Sequence, residues 1–310
     1  MEPRVVFPRS LQYLLAIAEH GSYTRAAEAL HISQPALSQQ IRQLEASLQS
    51  LLVDRSGRSM RLTPAGEVYL LHARRARGEM AAGVRAIQDL QALSCGSLRL
   101  GWTPITDYLT CSLLAKFDSL YPGITLSTFE MPQGDIETAV MEGRIDLGIV
   151  FSKAFPSKLP SSDVDSTTLF TEKLCLAIGN DHCRAGQTAP MNPQELARES
   201  LVLLNTDFAL RQHIDRYCCD HGIAPRIAVA TNSLSVIIEM VTLGSLSTVL
   251  PKSIICRQPG LAPIRLSPEI PDNAITVICR KAGYKSAACR AFGTLALDWA
   301  ERGRQPKTAC

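Results

Sequence analysis

The stretch AAEALHISQPALSQQIRQLE, residues 26–45, contains the pattern that predicts the fold of the first third of the chain. Small and apolar side chains in its first half predict a short helix over Thr24–Leu30, which Ser22 caps. After a tight turn, Ser33 is predicted to cap a second helix, which has Pro35 in its first turn and runs to about Leu48. Two short helices joined by a brief turn are the layout of a helix-turn-helix.

The second helix is predicted to have two unlike faces. Apolar residues at helical spacing form the face that we expect to be buried: Ala36, Leu37, Ile41, Leu44 and Leu48. The opposite face carries amide, hydroxyl and guanidinium groups: Gln34, Ser38, Gln39, Arg42 and Gln43. Such groups form hydrogen bonds with base edges in the DNA major groove, whereas a helix that is only solvated usually carries Glu and Lys. The pattern favours a DNA-reading helix over a solvated hairpin.

The residues on either side of these helices complete the same unit. An earlier helix over Leu11–Ala18 is predicted to end at Gly21, and residues 54–63 (DRSGRSMRLT) predict a strand–turn–strand with three Arg. A basic wing of this kind can lie over the phosphate backbone. We therefore predict that DNA is contacted by Ser22, Thr24, Arg25, Ser33, Gln34, Pro35, Ser38, Gln39, Arg42, Arg55, Arg58 and Arg61.

The distribution of charge agrees with this assignment. Residues 1–93 contain 11 Arg, no Lys and 8 acidic residues, whereas residues 94–310 contain 21 basic and 21 acidic residues. The formal excess of +3 therefore lies entirely in the first third, on side chains whose planar fork suits phosphates and guanine edges. A chain of 310 residues predicts more than one domain, and the absence of a long uncharged apolar run predicts a cytosolic protein without a membrane span.

The motif is specific enough to indicate a family. Residues 26–45, together with residues 62–66 (LTPAG), resemble the signature of the LysR-type transcriptional regulators. The resemblance extends over nearly the whole chain. It implies a homodimer or homotetramer that binds double-stranded promoter DNA, acts with RNA polymerase and responds to a small molecule.

A long helix is predicted to follow the wing, to about Leu93. Its apolar and small residues recur at alternating steps of three and four: Ala73, Ala76, Met80, Gly83, Ile87 and Leu90. This spacing is typical of a short coiled coil, so we expect dimerisation through this helix; the alternative is that the stripe packs on the chain's own wing domain. The predicted division is residues 1–64 for the winged helix-turn-helix, 65–93 for the linker helix and 94–310 for an effector-binding domain.

Beyond a hinge at Ser94–Ser97, predicted strands and helices alternate. The order βαβαβ is followed by a second α/β set and a closing amphipathic helix, Ser286–Arg302. We predict a two-lobed α/β domain like the periplasmic binding proteins, with lobe I over 94–165 and 268–310 and lobe II over 166–267. The overall fold class is thus a multidomain α+β and α/β protein.

Ligands of such folds bind at the carboxyl ends of the strands, in the crevice between the lobes. That rule selects polar and aromatic residues after the predicted strands: Thr103, Pro104, Thr106, Gln133, Phe151, Thr206, Phe208, Asn232, Ser233 and Ser245. Hydroxyls, amides and helix N-termini near residues 106 and 233 favour an anionic effector. The alternative for each residue is a cap or turn without a ligand.

Four further stretches resemble the family's activators of cyanate-degradation operons: residues 19–22, 54–58, 212–218 and 245–251. The resemblance implies that the effector is cyanate, a three-atom anion that would suit Thr and Asn donors without a buried carboxylate. The alternative is a regulator of another pathway that responds to a different small anion.

Other classes of function have less support. The sequence contains no Gly-x-Ser-x-Gly, His-Glu-x-x-His, phosphate loop or Gly-x-Gly-x-x-Gly, which are motifs of catalytic and cofactor-binding sites. We therefore expect that the protein is not an enzyme and binds no cofactor. A pure solute-binding module would lack residues 22–61. The 10 Cys include no Cys-x-x-Cys, so we expect no metal, although a cysteine-based redox sensor on the same scaffold stays open.

Overall fold

The computed structural model describes residues 7–54, 60–89, 96–152 and 163–303. The chain forms two compact units, one running to residue 91 with the short segments 141–144 and 283–286, and the other containing the rest. Four predicted features lie outside the described residues: Arg55, Arg58, Leu90 and the first half of the hinge at residues 94–97.

The first unit has the predicted winged helix-turn-helix followed by a long helix. Its elements are α1 (Arg9–His20), α2 (Tyr23–Ala29), α3 (Gln34–Leu48), β1 (Val53–Asp54), β2 (Arg61–Leu62) and α4 (Pro64–Asp89). Ser33 caps α3 as predicted, since its hydroxyl accepts a hydrogen bond from the Ala36 N–H at 3.4 Å. Ser22 occupies the N-cap position of α2 but makes no side-chain cap bond. Gly21 ends α1 in the left-handed conformation.

Most of the residues predicted for the buried stripe of α3 do lie in the core of this unit. Leu37, Ile41 and Leu44 are buried, but Ala36 and Leu48 are exposed, so these two predictions were wrong. Ala36 lies one residue before the stripe and therefore about 100° around the helix from it. Leu48 lies at the last turn, where it lines an open apolar depression with Val68 of α4.

The second unit contains two lobes, each built on a five-stranded sheet with helices. Lobe I has the strand order β4-β3-β5-β12-β6, from β3 (Gly96–Trp102), β4 (Ile124–Glu130), β5 (Leu147–Ser152), β6 (Val164–Glu172) and β12 (Asn273–Arg280). Its helices are α5 (Pro104–Leu120), α6 (Gln133–Met141) and α11 (Ala287–Gly303). Strands β3, β4 and β5 are parallel, and β12 runs antiparallel to β5 and β6.

Lobe II has the strand order β11-β7-β10-β8-β9. Its elements are β7 (Leu174–Gly179), α7 (Pro193–Leu196), β8 (Ser200–Leu204), α8 (Ala209–Asp220), β9 (Arg226–Thr231), α9 (Leu234–Leu243), β10 (Ser247–Pro251), α10 (Lys252–Ile255) and β11 (Leu261–Ile264). The predicted alternation of strands and helices is confirmed, and β6, β11, α7 and α10 are additions to it.

One predicted boundary was wrong. Strand β6 pairs with β12 along its whole length, from Val164 opposite Arg280 to Glu172 opposite Asn273, and so belongs to lobe I. The chain therefore enters lobe II after Glu172, not after Asp165. The sequence did not reveal this because only one of the nine residues of β6 is buried, so the strand lacks the apolar run that marked the buried strands.

Candidate functional site

The outward face of α3 presents a continuous row of polar side chains. Gln34, Gln39 and Arg42 are exposed and Ser38 is half-buried, while Leu37 and Ile41 on the other side are fully buried. Residues three and four apart on a helix lie side by side, so these four side chains form one surface. The row can donate and accept hydrogen bonds in the pattern that base edges require.

The remaining predicted DNA contacts surround this row where they are described. Ser22 is half-buried, Thr24 and Arg25 are exposed in the first turn of α2, and Ser33 and Pro35 are exposed at the start of α3. Arg61 is exposed on β2, where it pairs across the strands with Asp54. The basic character of this edge beyond Arg61 depends on Arg55 and Arg58, which lie outside the described residues.

A buried carboxylate joins α3 to the wing. Glu45 is 5% exposed, and its Oε1 accepts hydrogen bonds from the backbone N–H groups of Leu52 at 2.9 Å and Val53 at 3.1 Å. The last turn of α3 is thereby fixed to the start of β1. This role was not predicted from the sequence, although an acidic residue in line with the stripe of Leu37, Ile41 and Leu44 was a signal that a carboxylate enters the core.

The turn from the wing into α4 needs its glycine. The N–H of Gly66 donates to Thr63 Oγ1 at 3.0 Å, and that hydroxyl donates to the carbonyl oxygen of Leu51. A Cβ atom at Gly66 would overlap the backbone carbonyl of Leu52. This close approach explains the glycine at the end of the sequence LTPAG.

Helix α4 carries an uncovered apolar stripe within the first unit. Met80 is 48% exposed and Ile87 is 69% exposed. Gly83 between them and Ala76 before them are also exposed. Among the described residues of the predicted stripe, only Ala73 at its start is buried within its own chain. A Cβ atom at Gly83 would meet nothing within 4 Å, so the middle of the stripe has space for a second helix.

In the second unit, the carboxyl ends of the strands border a cleft of about 570 Å³. Lobe I contributes residues from the end of β4 and the start of α5, and lobe II contributes the start of α9. Three of the predicted effector residues lie here, namely Pro104, Asn232 and Ser233. The other lining residues were not predicted: Asp107, Tyr108, Glu130, Leu234, Ser235, Ile238, Glu239 and Gln258.

The lining of this cleft is acidic, which corrects the expectation of a pocket without carboxylates. Burial raises the pKa of Asp107 to about 6, the N–H of Tyr108 opposes that shift, and the neighbouring charge of Glu130 adds to it. Burial likewise raises the pKa of Glu130. Glu239 is a third carboxylate on the lining, and no Lys, Arg or His is among the described lining residues.

The side chains of Thr103 and Thr106 form hydrogen bonds within the protein. Both are buried, and they form a capping box at the start of α5. The Thr106 hydroxyl donates to the carbonyl oxygen of Ile149 at 2.9 Å and accepts from the N–H of Thr103 at 2.8 Å. In this arrangement the hydroxyl of Thr106 stabilises the helix and is not available to a ligand.

The other predicted effector residues are spread over several places. Phe151 and Phe208 are buried in the core, Thr206 is exposed, and Gln133 donates from Nε2 to Glu137 at 3.1 Å. Ser245 precedes β10, which runs parallel to β8 and β9. It therefore lies at the amino ends of these strands, opposite to their carboxyl ends. The prediction for Ser245 was therefore wrong, because a residue before a parallel strand cannot lie at its carboxyl end.

A buried histidine stands next to Phe151 where the lobes meet. The rings of His213 and Phe151 are 6.5 Å apart in an edge-to-face arrangement. Burial lowers the pKa of His213 to about 4, and a side-chain hydrogen bond with Asn273 partly offsets the shift. The imidazole is consequently neutral at pH 7 and packs as part of the core.

Two of the cysteines have thiols that burial makes less reactive. Burial raises the pKa of the Cys218 thiol to about 11 and also raises the pKa of Cys175. Within the part of the chain that the structure describes, no three His, Cys, Asp or Glu side chains are grouped so that they could hold a metal ion. None of the described helices combines the length and apolarity needed to cross a membrane.

Comparison with known proteins agrees with this architecture. Residues 8–67 match the lysR family of bacterial regulatory helix-turn-helix proteins, and residues 91–301 match the LysR substrate binding domain. The transcriptional regulator TdfR of Cupriavidus pinatubonensis is 30% identical over 306 residues, which cover 96% of this chain and 99% of the relative. OxyR of Escherichia coli, a DNA-binding transcriptional dual regulator, is 30% identical over 249 residues, 78% of each chain.

Solved structures share the fold. The crystal structure of CbnR, a LysR family transcriptional regulator, superposes with a TM-score of 0.64 at 24% identity and covers 94% of this chain and 98% of that one. The names of TdfR, OxyR and CbnR do not mention cyanate. With both parts of the family pattern present in order along the chain, the protein belongs to the LysR family of DNA-binding transcriptional regulators.

Proposed function

We propose that this LysR-family regulator reads promoter DNA with the exposed face of α3 and controls transcription through a ligand bound between the lobes of its second unit. The observation that supports DNA reading is the row of Gln34, Ser38, Gln39 and Arg42, which is accessible along one side of a helix whose other side is core. Arg61 adds a cation at the wing for the phosphate backbone.

The uncovered stripe of α4 supports assembly into dimers. Two stripes that each present Met80, Gly83 and Ile87 would bury one another, because apolar side chains at this spacing fit between those of a facing helix. A dimer carries two reading helices and so recognises two half-sites, separated by whole turns of DNA. We propose that the bound dimer or tetramer acts on RNA polymerase at the promoter.

The charge and the volume of the cleft limit the kind of effector that it can bind. Cyanate is a small anion, and Asp107, Glu130 and Glu239 would oppose it in a cleft whose described lining has no cation. A cavity of about 570 Å³ is also within the range of sites for larger metabolites, about 300–1,000 Å³. We therefore propose an effector that carries an amine or guanidine, with these carboxylates as its acceptors, in place of the small anion.

Thermal unfolding of the full-length protein can distinguish these effectors. We expect millimolar putrescine or agmatine to raise the melting temperature, and sodium cyanate to act no differently from sodium chloride. The double variant Asp107→Asn with Glu130→Gln should lose the response to amines, whereas Glu28→Gln, an exposed carboxylate on α2, should keep it. Stabilisation by cyanate alone would reject the amine and restore the anion.

A second candidate function is redox sensing, because OxyR is among the relatives at 30% identity. Among the cysteines that the structure describes, exposed thiols are found at Cys111, Cys183 and Cys219. Peroxide treatment of the full-length protein, followed by measurement of promoter binding, tests this candidate. A response that survives Ser substitution at all three positions would exclude these thiols as the sensor.

A further inference from the structure

The outward face of α3 extends further than the row of polar side chains on it. An α-helix turns by about 100° per residue, so the angular position of each side chain around α3 follows from its number. The buried residues of this helix are centred almost directly opposite Gln39, namely Leu37, Ile41, Leu44 and Glu45. Gln39 therefore marks the middle of the side that faces away from the core.

Ala36 belongs to this outward side. It lies about 60° from Gln39 in one direction, as far as Arg42 lies in the other, and all three residues are exposed. Ser38 and Gln40 lie about 100° from Gln39 on either side and are half-buried, so the burial of the side chains agrees with these angles. Ala36 consequently presents an apolar methyl group beside the polar side chains of the reading face.

The side chains around Ala36 at the start of α3 are short. Ser33, three residues earlier, uses its hydroxyl to accept the N–H of Ala36 at 3.4 Å, and Pro35 is exposed next to it. In helix-turn-helix proteins the first residues of the reading helix contact the base edges. Short side chains at this end let the helix backbone approach the groove closely, whereas a long side chain at residue 36 would hold it away.

The base edge that suits an exposed methyl group is that of thymine. Among the four bases, only thymine has a methyl group in the major groove, at C5, and apolar contact with alanine is one way in which proteins recognise it. Gln39 and Arg42 offer hydrogen bonds, which suit adenine and guanine. The alternative is that Ala36 only favours the helix through its propensity, and this alternative predicts no preference for any base.

We propose that Ala36 is a specificity-determining residue, which reads one thymine in each half-site through contact between its methyl group and the C5-methyl group of the base. The inference rests on the proposed reading of bases by α3 and adds a thymine to the bases that the polar side chains can recognise. The contact contributes to affinity only when both methyl groups are present. Removing one of them therefore removes the effect of the other.

Uracil, which is thymine without the C5-methyl group, tests this contact from the side of the DNA. A promoter fragment is first selected from random sequence by the full-length protein, and its thymines are then replaced by uracil one position at a time in each half-site. Fluorescence anisotropy measures the dissociation constants. We expect one replacement in each half-site to weaken binding by the original protein about fourfold, which is the effect of one buried methyl group.

The variant Ala36→Gly removes the other methyl group. It should bind the thymine fragment about fourfold more weakly, and uracil at the position that Ala36 reads should then have no further effect. Ala46→Gly is the matched control, because Ala46 is also exposed on α3 but lies in its last turn. This control should remain as sensitive to uracil as the original protein.

If Ala36→Gly unfolds, Ala36→Ser takes its place, because serine keeps the Cβ atom and lacks the flexibility of glycine. Its hydroxyl replaces the apolar contact by a polar one, so the effect of uracil at that position should fall below about twofold.

Two results would overturn the proposal. One is an original protein whose binding no uracil replacement weakens, and the other is a uracil effect of the same size at every position in the original protein and in the folded variant of Ala36. A failure of base reading by α3 as a whole looks different, because the selection from random sequence would then enrich no sequence. That outcome would overturn the proposed function together with this inference.

Discussion

The carboxylate of Glu45 holds the backbone N–H of Leu52 at 2.9 Å, and so fixes the last turn of the reading helix α3 to the strand that leads into the wing. The same oxygen accepts from Val53 at 3.1 Å, and the side chain is buried. A charged acceptor that serves two buried N–H groups is worth more than an ordinary hydrogen bond. The two DNA-facing parts of the unit are therefore coupled through one side chain.

The first prediction follows from this contact. Glu45→Gln keeps the shape but removes the charge that the buried N–H groups of Leu52 and Val53 face, so we expect the free energy of unfolding to fall by about 1–3 kcal/mol. Denaturant unfolding of the full-length protein measures the change. Glu28→Gln, an exposed carboxylate on α2, should have almost no effect. Equal stability of the two variants would contradict the role of Glu45.

The second prediction concerns the end of α3. Gln49 adopts the left-handed conformation with φ of 51°, which L residues with a Cβ disfavour. Gln49→Gly should relieve this strain and raise the free energy of unfolding by about 0.5–1 kcal/mol, after the greater freedom of glycine in the unfolded chain is subtracted. The neighbouring substitution Ser50→Gly has no such strain to relieve and should be neutral or destabilising. A loss of stability in Gln49→Gly would show that the side chain of Gln49 outweighs its backbone strain.

The third prediction separates base reading from phosphate contact. Gln39→Ala should weaken binding to the cognate promoter by about 1–3 kcal/mol and leave binding to random DNA nearly unchanged. Arg61→Ala should weaken both, and should reduce the slope of log K against log salt by about one. Fluorescence anisotropy at several salt concentrations measures both effects. Equal losses on the two DNAs for Gln39→Ala would remove that residue from the base-reading set.

The fourth prediction concerns the stripe of α4. Met80→Glu with Ile87→Glu places like charges on a face that we propose to be the dimer seam, so the protein should remain folded but sediment as a monomer. The affinity for DNA with two half-sites should fall to that of a single winged helix-turn-helix. His72→Glu, on an exposed position of α4 outside the stripe, should leave the assembly intact. Dimers that persist in the double variant would place the interface elsewhere.

The fifth prediction is a dependence of stability on pH. The folded pKa of His213, about 4, is lower than the usual value of 6.5, so below pH 6.5 the unfolded chain binds the proton first. The stabilisation is complete above pH 6.5 and should be lost as the pH falls towards 4, by up to about 3 kcal/mol. His213→Gln should flatten this part of the profile, whereas His72→Gln should preserve it. Identical profiles for the original protein and His213→Gln would contradict the assignment.

The elements whose signals are local could be predicted from the sequence alone. The turn after Leu30, the cap at Ser33 and the spacing of Leu37, Ile41 and Leu44 defined the helix-turn-helix, because capping and helical periodicity depend only on near neighbours. The same holds for the strand pair of the wing and for the alternation of strands and helices in the two lobes.

Features that depend on partners distant along the chain became visible only in the folded structure. Pairing with β12 places β6 in lobe I, and the direction of β10 places Ser245 at the amino end of that strand. The hydroxyls of Thr103 and Thr106 form a capping box within the protein. The fold also brings Asp107, Glu130 and Glu239 to one cleft, which turns an expected anion site into an acidic one. Periodicity shows which side of an element is buried, but the direction of a strand and the charges that face it across a cleft are fixed only when the sheets assemble.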